Sequence, residues 1–180
     1  MFDFLFGSKD ATKDWPQASK LSLTLDIGSG ELNGIALGSP LESVRLLGPA
    51  GNDHGSKGGI YMYYEHGLQT NCDKRGGRIE TFHLYYRPQM DKRFQQYPGK
   101  VLHQGKEVPV SEWQIEDFKR EFGEPAEFGQ EGDEASLTYF FRDFHLEVDF
   151  QVAPQNSSRP RELYVFLPHA IPTWVDPNYD

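Results

Sequence analysis

Ser39-Pro40-Leu41-Glu42-Ser43-Val44-Arg45-Leu46-Leu47-Gly48-Pro49 has a counterpart at Ser111-Glu112-Trp113-Gln114-Ile115-Glu116-Asp117-Phe118-Lys119-Arg120-Glu121-Phe122-Gly123-Glu124-Pro125. Each stretch reads as one short helix with the same start and stop chemistry. Ser39 suits an N-cap, because its hydroxyl can accept from a backbone N–H that has no helical partner. Pro40 falls at the first helical position, where its missing donor is harmless. Glu42 completes a Ser-x-x-Glu capping box. Gly48 gives a left-handed stop and Pro49 blocks continuation. In the second stretch Ser111 caps, Gln114 stands three residues later, and Gly123 stops the helix. Ile115, Phe118 and Phe122 are spaced to share one face.

Outward from these stretches, strand signals recur in the same order. Leu21, Leu23 and Leu25 alternate with polar residues, as a half-buried strand does. Residues 32–37 read as a returning strand or a loop. After the first helix, strands are expected at Ile60–Glu65, Leu68–Asp73 and Ile79–Tyr86. After the second, they are expected at Leu137–Arg142, Phe144–Gln151 and Glu162–Leu167. Lys100–Pro109 stands where the 21–26 strand and its turn stand in the first half. The fold class expected is therefore α+β, in two tandem units, each a short helix packed on an antiparallel sheet of about four strands. The domain reading is a mobile N-terminal arm over 1–19, a first unit over 20–92, a second over 93–168, and a C-terminal tail over 169–180.

This layout resembles the tandem units of β-lactamase-inhibitor-protein folds and the single-unit BamE (SmpA) domain. Leu46-Leu47-Gly48-Pro49 and Phe122-Gly123-Glu124-Pro125 carry the resemblance, which spans roughly residues 20–168. It implies a scaffold whose members mostly bind proteins and catalyse nothing. Two departures limit it. BamE-type proteins are anchored through an N-terminal cysteine, and the secreted inhibitors contain disulfides. Here Cys72 is the single cysteine, so neither outer-membrane assembly nor β-lactamase inhibition is carried over.

Charge narrows the class of partner. The formal net charge is −9, and it is concentrated. Gly105–Phe150 holds 13 acids and 4 bases, whereas the rest of the chain holds 14 of each. Such a block repels phosphate backbones, so no nucleic-acid partner is expected. It suits a basic protein partner, or serves solubility alone. A lone cysteine fits a reducing compartment, and no run approaches the ~20 apolar residues of a membrane span. Met1–Gly7 is apolar but carries Asp3 and has no basic flank, so it reads as a leader or docking segment and not a signal peptide. A soluble, cytoplasmic protein is expected.

Signals for chemistry are few. The Gly-rich stretch 51–59 contains Lys57, but it feeds a strand where a phosphate-binding loop would open a helix. Asp26–Glu31 has acids around a turn without the alternation of a calcium loop. Cys72 is in phase with Leu68 and Thr70 and should point inward as an inert thiol. His145, Glu147 and Asp149 alternate with Phe144, Leu146, Val148 and Phe150, so all three line one face of one strand. One imidazole and two carboxylates can hold a divalent metal or perform acid–base chemistry. The same alternation also describes the solvated face of a one-sided sheet. No cofactor and no metal are assigned.

The face opposite the helices is the stronger candidate. It is expected to carry Tyr61, Tyr63, His83 and Tyr85 in the first unit, and Phe140, Tyr164 and Phe166 beside His145, Glu147 and Asp149 in the second. Tyrosines anchor interfaces, having large contact area and a polar tip. The linker or the terminal arms can equally cover these rings. The expected function is a non-enzymatic protein-binding module, of inhibitor or immunity type, using its sheet faces. Two alternatives stand beside it: a metal-dependent or acid–base enzyme at His145, Glu147 and Asp149, and a ligand-binding module with a pocket between the units.

Overall fold

Leu137, Tyr139, Leu146, Val148, Leu163 and Val165 alternate along their strands with residues of the opposite face. Their pairing partners bring all six to one side. Each is buried, and together they form the floor of the main core. The computed structural model describes residues 10–18, 21–51, 59–73, 77–87, 92–152 and 158–170.

In chain order the strands are β1 (Thr24–Asp26), β2 (Glu31–Leu32), β3 (Ile35–Ala36), β4 (Ile60–Tyr63), β5 (Leu68–Cys72) and β6 (Ile79–Tyr85). Then come β7 (Lys100–His103), β8 (Lys106–Glu107), helix α1 (Ile115–Phe122), β9 (Glu127–Glu131), β10 (Glu134–Phe140), β11 (His145–Val152) and β12 (Ser158–Phe166). Short 3-10 segments lie at Leu41–Leu47, Tyr64–His66 and Val110–Glu112.

These strands form two sheets, a five-stranded one in the order β3-β2-β1-β7-β8 and a seven-stranded one in the order β4-β5-β6-β12-β11-β10-β9. The arrangement overturns the expected pair of units, each a short helix on its own four-stranded sheet. Both sheets are made jointly by the two halves of the chain. β6 pairs antiparallel with β12, and β1 pairs parallel with β7. The physical reason lies in the edges. A separate small sheet presents unpaired N–H and C=O groups on both sides, and joining β6 to β12 satisfies two such rows at once. Local alternation reports which face of a strand is buried, but not which strand lies beside it.

The helices also differ from expectation. The first is a 3-10 segment at Leu41–Leu47, kinked at Val44, with no side-chain cap. Ser39 is held in extended pairing: its carbonyl accepts from Ile79, and Pro40 bridges Arg78. Glu42, free of any capping role, pairs instead with Arg45 at 2.6 Å. In the second stretch Ser111 lies inside a 3-10 turn, and the N-cap is Gln114, whose N–H donates to Asp117 Oδ2 at 2.8 Å. Gly123 ends α1 as expected, at φ +83°, donating to the Lys119 carbonyl.

Phe118 of α1 is fully buried, edge-on to Phe150 at 5.5 Å, and Phe122 packs on Tyr139 at 5.3 Å. The β1–β2 turn lies against the same face of the large sheet. A side chain at Gly30 would meet the Phe144 ring at 3.0 Å, and Gly30 has φ +73°, so glycine is required there on both counts. Trp15 and Thr12 of the N-terminal segment are buried too, Thr12 Oγ1 accepting from the Ala50 N–H at 2.8 Å. The Lys57 loop, residues 74–76 and 153–157, and Met1–Gly7 lie outside the described residues.

Candidate functional site

The outer face of the seven-stranded sheet carries most of the residues singled out from sequence, in cross-strand rows. One row runs Gln69, His83, Tyr164, Glu147, Thr138, Glu127; the next runs Tyr85, Glu162, Asp149, Ser136, Gly129. Tyr61 and Tyr63 are not on it. They pair with Thr70 and Leu68 and point into the core, where both are buried. Their phase along β4 is opposite to the one expected, because the Gly-rich loop before Ile60 leaves the register unmarked.

The expected open aromatic surface is largely covered. Phe94 of the inter-half linker stacks on Tyr85 at 3.9 Å, Tyr85 on His83 at 4.0 Å, and His83 on Tyr164 at 4.0 Å. Tyr164 and Phe166 are buried with Ala170 and Leu167 at the C-terminal end of the described chain. Among the residues expected there, Phe140 alone is exposed, at 52 %, stacked on half-buried His145 at 4.3 Å. Linker and C-terminal residues therefore act as cover.

Beneath that cover is a buried polar network. His83 Nε2 lies 2.9 Å from Glu162 Oε2, the Tyr164 hydroxyl donates to the same oxygen, and Arg161 Nε stands 3.4 Å from Oε1. Burial holds His83 below its ordinary range and therefore neutral. For Glu162 burial would raise the carboxyl, but the hydrogen bonds from His83 and Tyr164 and the charge of Arg161 bring it below the usual range. The pair is an imidazole donating Nε2–H to a carboxylate.

Beside this network a pocket of about 560 Å³ opens on the β9–β12 end of the sheet. Glu131, Glu134, Glu147, Asp149 and Arg161 line it. It lies within one sheet and not between the two halves of the chain. Its shape comes from a β-bulge. Asp149 pairs with Glu162, yet Phe150 pairs with Pro160, so Arg161 is an extra residue on β12. Pro160 has no N–H for the ladder, which favours the irregularity. Arg161 Nη1 donates to Glu134 Oε1. Gly129, with no side chain, keeps the rim open where Ser136 Oγ would crowd a Cβ at 2.9 Å.

Asp149 is only 7 % exposed and makes no hydrogen bond or ion pair among the described residues. Burial, then the charges of Glu147 and Glu162, push its carboxyl up to about 7. Burial and Glu127 likewise raise Glu147, while burial lowers His145. His145, Glu147 and Asp149 do share a face, as expected. However, alternate residues of a strand stand roughly 6.7 Å apart and project side by side. Among the described residues no three His, Cys, Asp or Glu side chains are grouped to hold a metal.

Comparison with protein-family models, curated proteins and solved structures finds no match. The site therefore stands on its own geometry. Sequence reading missed Arg161, Glu134 and the whole of β9. Pro160 inside a central strand was the available sign of the bulge. Glu127-Phe128-Gly129-Gln130-Glu131 has no apolar alternation, because all five residues are exposed. No helix of the described residues is long and apolar enough to cross a membrane.

Proposed function

We propose that this chain is a non-enzymatic protein-binding module, and that it binds an extended, basic segment along the free edge of β9. One observation carries the reading. Among the described residues β9 pairs only with β10, all five of its residues are exposed, and Phe128 at its centre is 53 % exposed. A strand edge of this kind offers a row of unsatisfied N–H and C=O groups, which an extended peptide can complete. The neighbouring acids Glu124, Glu127, Glu131, Asp133 and Glu134 are all exposed, so lysines and arginines fit the occupant best. Phe128, with Lys119 Nζ 5.7 Å from its ring centre, supplies the apolar anchor. A cytoplasmic setting belongs to this proposal and is supported by the single, buried Cys72.

Selection from a displayed library of extended peptides tests the reading. It predicts enrichment of basic sequences that salt competes away and that fail to bind Phe128→Asp. Enrichment of neutral sequences that bind Phe128→Asp equally would overturn it.

Acid–base chemistry at Glu147 and Asp149 is a second reading, favoured by an unpaired carboxyl near 7 in a pocket. Under it, a hydrolytic or isomerising activity would be lost in Asp149→Asn. Activity retained in that variant would exclude this pair as its source.

A further inference from the structure

Asp149 faces a pocket in which, among the described residues, four carboxyls meet a single guanidinium. Four carboxyls line that pocket, from Glu131 on β9, Glu134 on β10, and Glu147 and Asp149 on β11. Among the described residues the cation lining it is Arg161, whose Nη1 donates to Glu134 and whose Nε stands 3.4 Å from Glu162 without a hydrogen bond. Glu162, on the adjacent strand, is spoken for by His83 and Tyr164. Asp149 is thus a residue only 7 % exposed whose carboxyl, without a hydrogen-bond partner among the described residues, opens onto the pocket. A buried ionisable group without a partner costs several kcal/mol when charged, and a ligand of opposite charge removes that cost.

We propose that this pocket binds a small alkylammonium cation, with Asp149 as its principal counter-charge and Glu147 beside it. Three features select the class. The volume of about 560 Å³ lies in the range of small-molecule sites. Carboxyls arrive from three strands, an arrangement that suits the three radiating donors of an ammonium better than the planar fork of a guanidinium. A bare metal is a poorer fit, since no three ligand side chains converge among the described residues.

The occupant is distinct from a strand docked on β9. From such a strand to β11 spans three inter-strand spacings, about 14 Å, whereas a lysine side chain reaches roughly 6 Å. The cation therefore arrives as a free amine or from another part of a partner. Success or failure at this site is separable from success or failure at the β9 edge.

Binding an ammonium requires Asp149 as the carboxylate. The groups facing it are Glu147 on its own strand, Glu162 and Arg161 on β12, and Glu134 on β10. With the carboxyl near 7, occupancy should rise with pH and release a proton. The test is calorimetric titration of the full chain with cadaverine at pH 6 and pH 8, with a lysine-containing peptide and neutral 1-pentanol in parallel arms. The expected result is saturable cadaverine binding, roughly tenfold tighter at pH 8, with buffer-dependent heat reporting the proton released. Asp149→Asn should weaken it more than about tenfold and abolish the pH dependence, and Glu147→Gln should weaken it less. Exposed Asp143→Asn, outside the pocket, should change nothing. Stronger binding of the peptide than of cadaverine would assign the cation to a partner's lysine, and the reverse to a free amine. The proposal is overturned if cadaverine does not saturate at millimolar concentration, if pentanol binds as well, or if folded Asp149→Asn and Glu147→Gln both bind like the parent.

Discussion

His83 Nε2 and Glu162 Oε2 stand 2.9 Å apart across the β6–β12 pairing, both side chains buried, at the seam where the two halves of the chain become one sheet. Tyr164 donates to the same carboxylate, so one oxygen ties β6 to β12 and orients a stack of four rings from Phe94 to Tyr164.

Removing that carboxylate should be costly. Glu162→Ala leaves His83, Tyr164 and Arg161 without their shared partner inside the protein, for a loss of about 3–5 kcal/mol. Glu162→Gln keeps an acceptor and should cost less. Urea unfolding checks both. A Glu162→Ala variant within about 0.5 kcal/mol of the parent would show that the seam is held by the backbone ladder and core alone.

The pH dependence of stability has two limbs. Glu162 and His83 are both depressed in the folded chain, so their stabilisation is lost on acidification, through the folded values. Asp149 is raised, so its contribution is present below the ordinary carboxylate range and is lost as pH rises toward about 7; raised Glu147 acts in the same sense. Asp149→Asn should therefore stabilise the free protein more at pH 8 than at pH 5, by roughly 1–3 kcal/mol. An equal effect at the two pH values would mean that Asp149 does not titrate between them.

Much of the large sheet was legible in the sequence. The strands at 68–72, 79–85, 137–140, 145–151 and 162–166 follow from alternation, because each has one dry face. Cys72, in phase with Leu68 and Thr70, is buried with them for the same reason. What alternation cannot encode is which edges meet. The β6–β12 and β1–β7 pairings join residues far apart in sequence, and no local residue announces them. Of the site, alternation places His145, Glu147 and Asp149 on one face, but Asp149 differs from its neighbours in being buried, beside the β12 bulge. That bulge depends on Pro160 and on pairing between strands.

Cys72 offers a check on the packing around β5. It is buried, and desolvation, with the charges of Asp73 and Glu80, pushes its thiol up to about 12. Labelling by a disulfide reagent at pH 8 should be roughly 10²-fold or more slower in the folded chain than in urea, and should follow unfolding. Fast labelling under native conditions would place Cys72 at the surface.

The β9 edge is most directly tested by amide hydrogen exchange with and without a basic peptide selected on the full chain. The outward-facing N–H groups of Glu127–Glu131 should exchange fast in the free protein and become protected on binding, while β4 at the opposite edge is unchanged. Protection on β4 or on the small sheet, with β9 still exchanging freely, would contradict it.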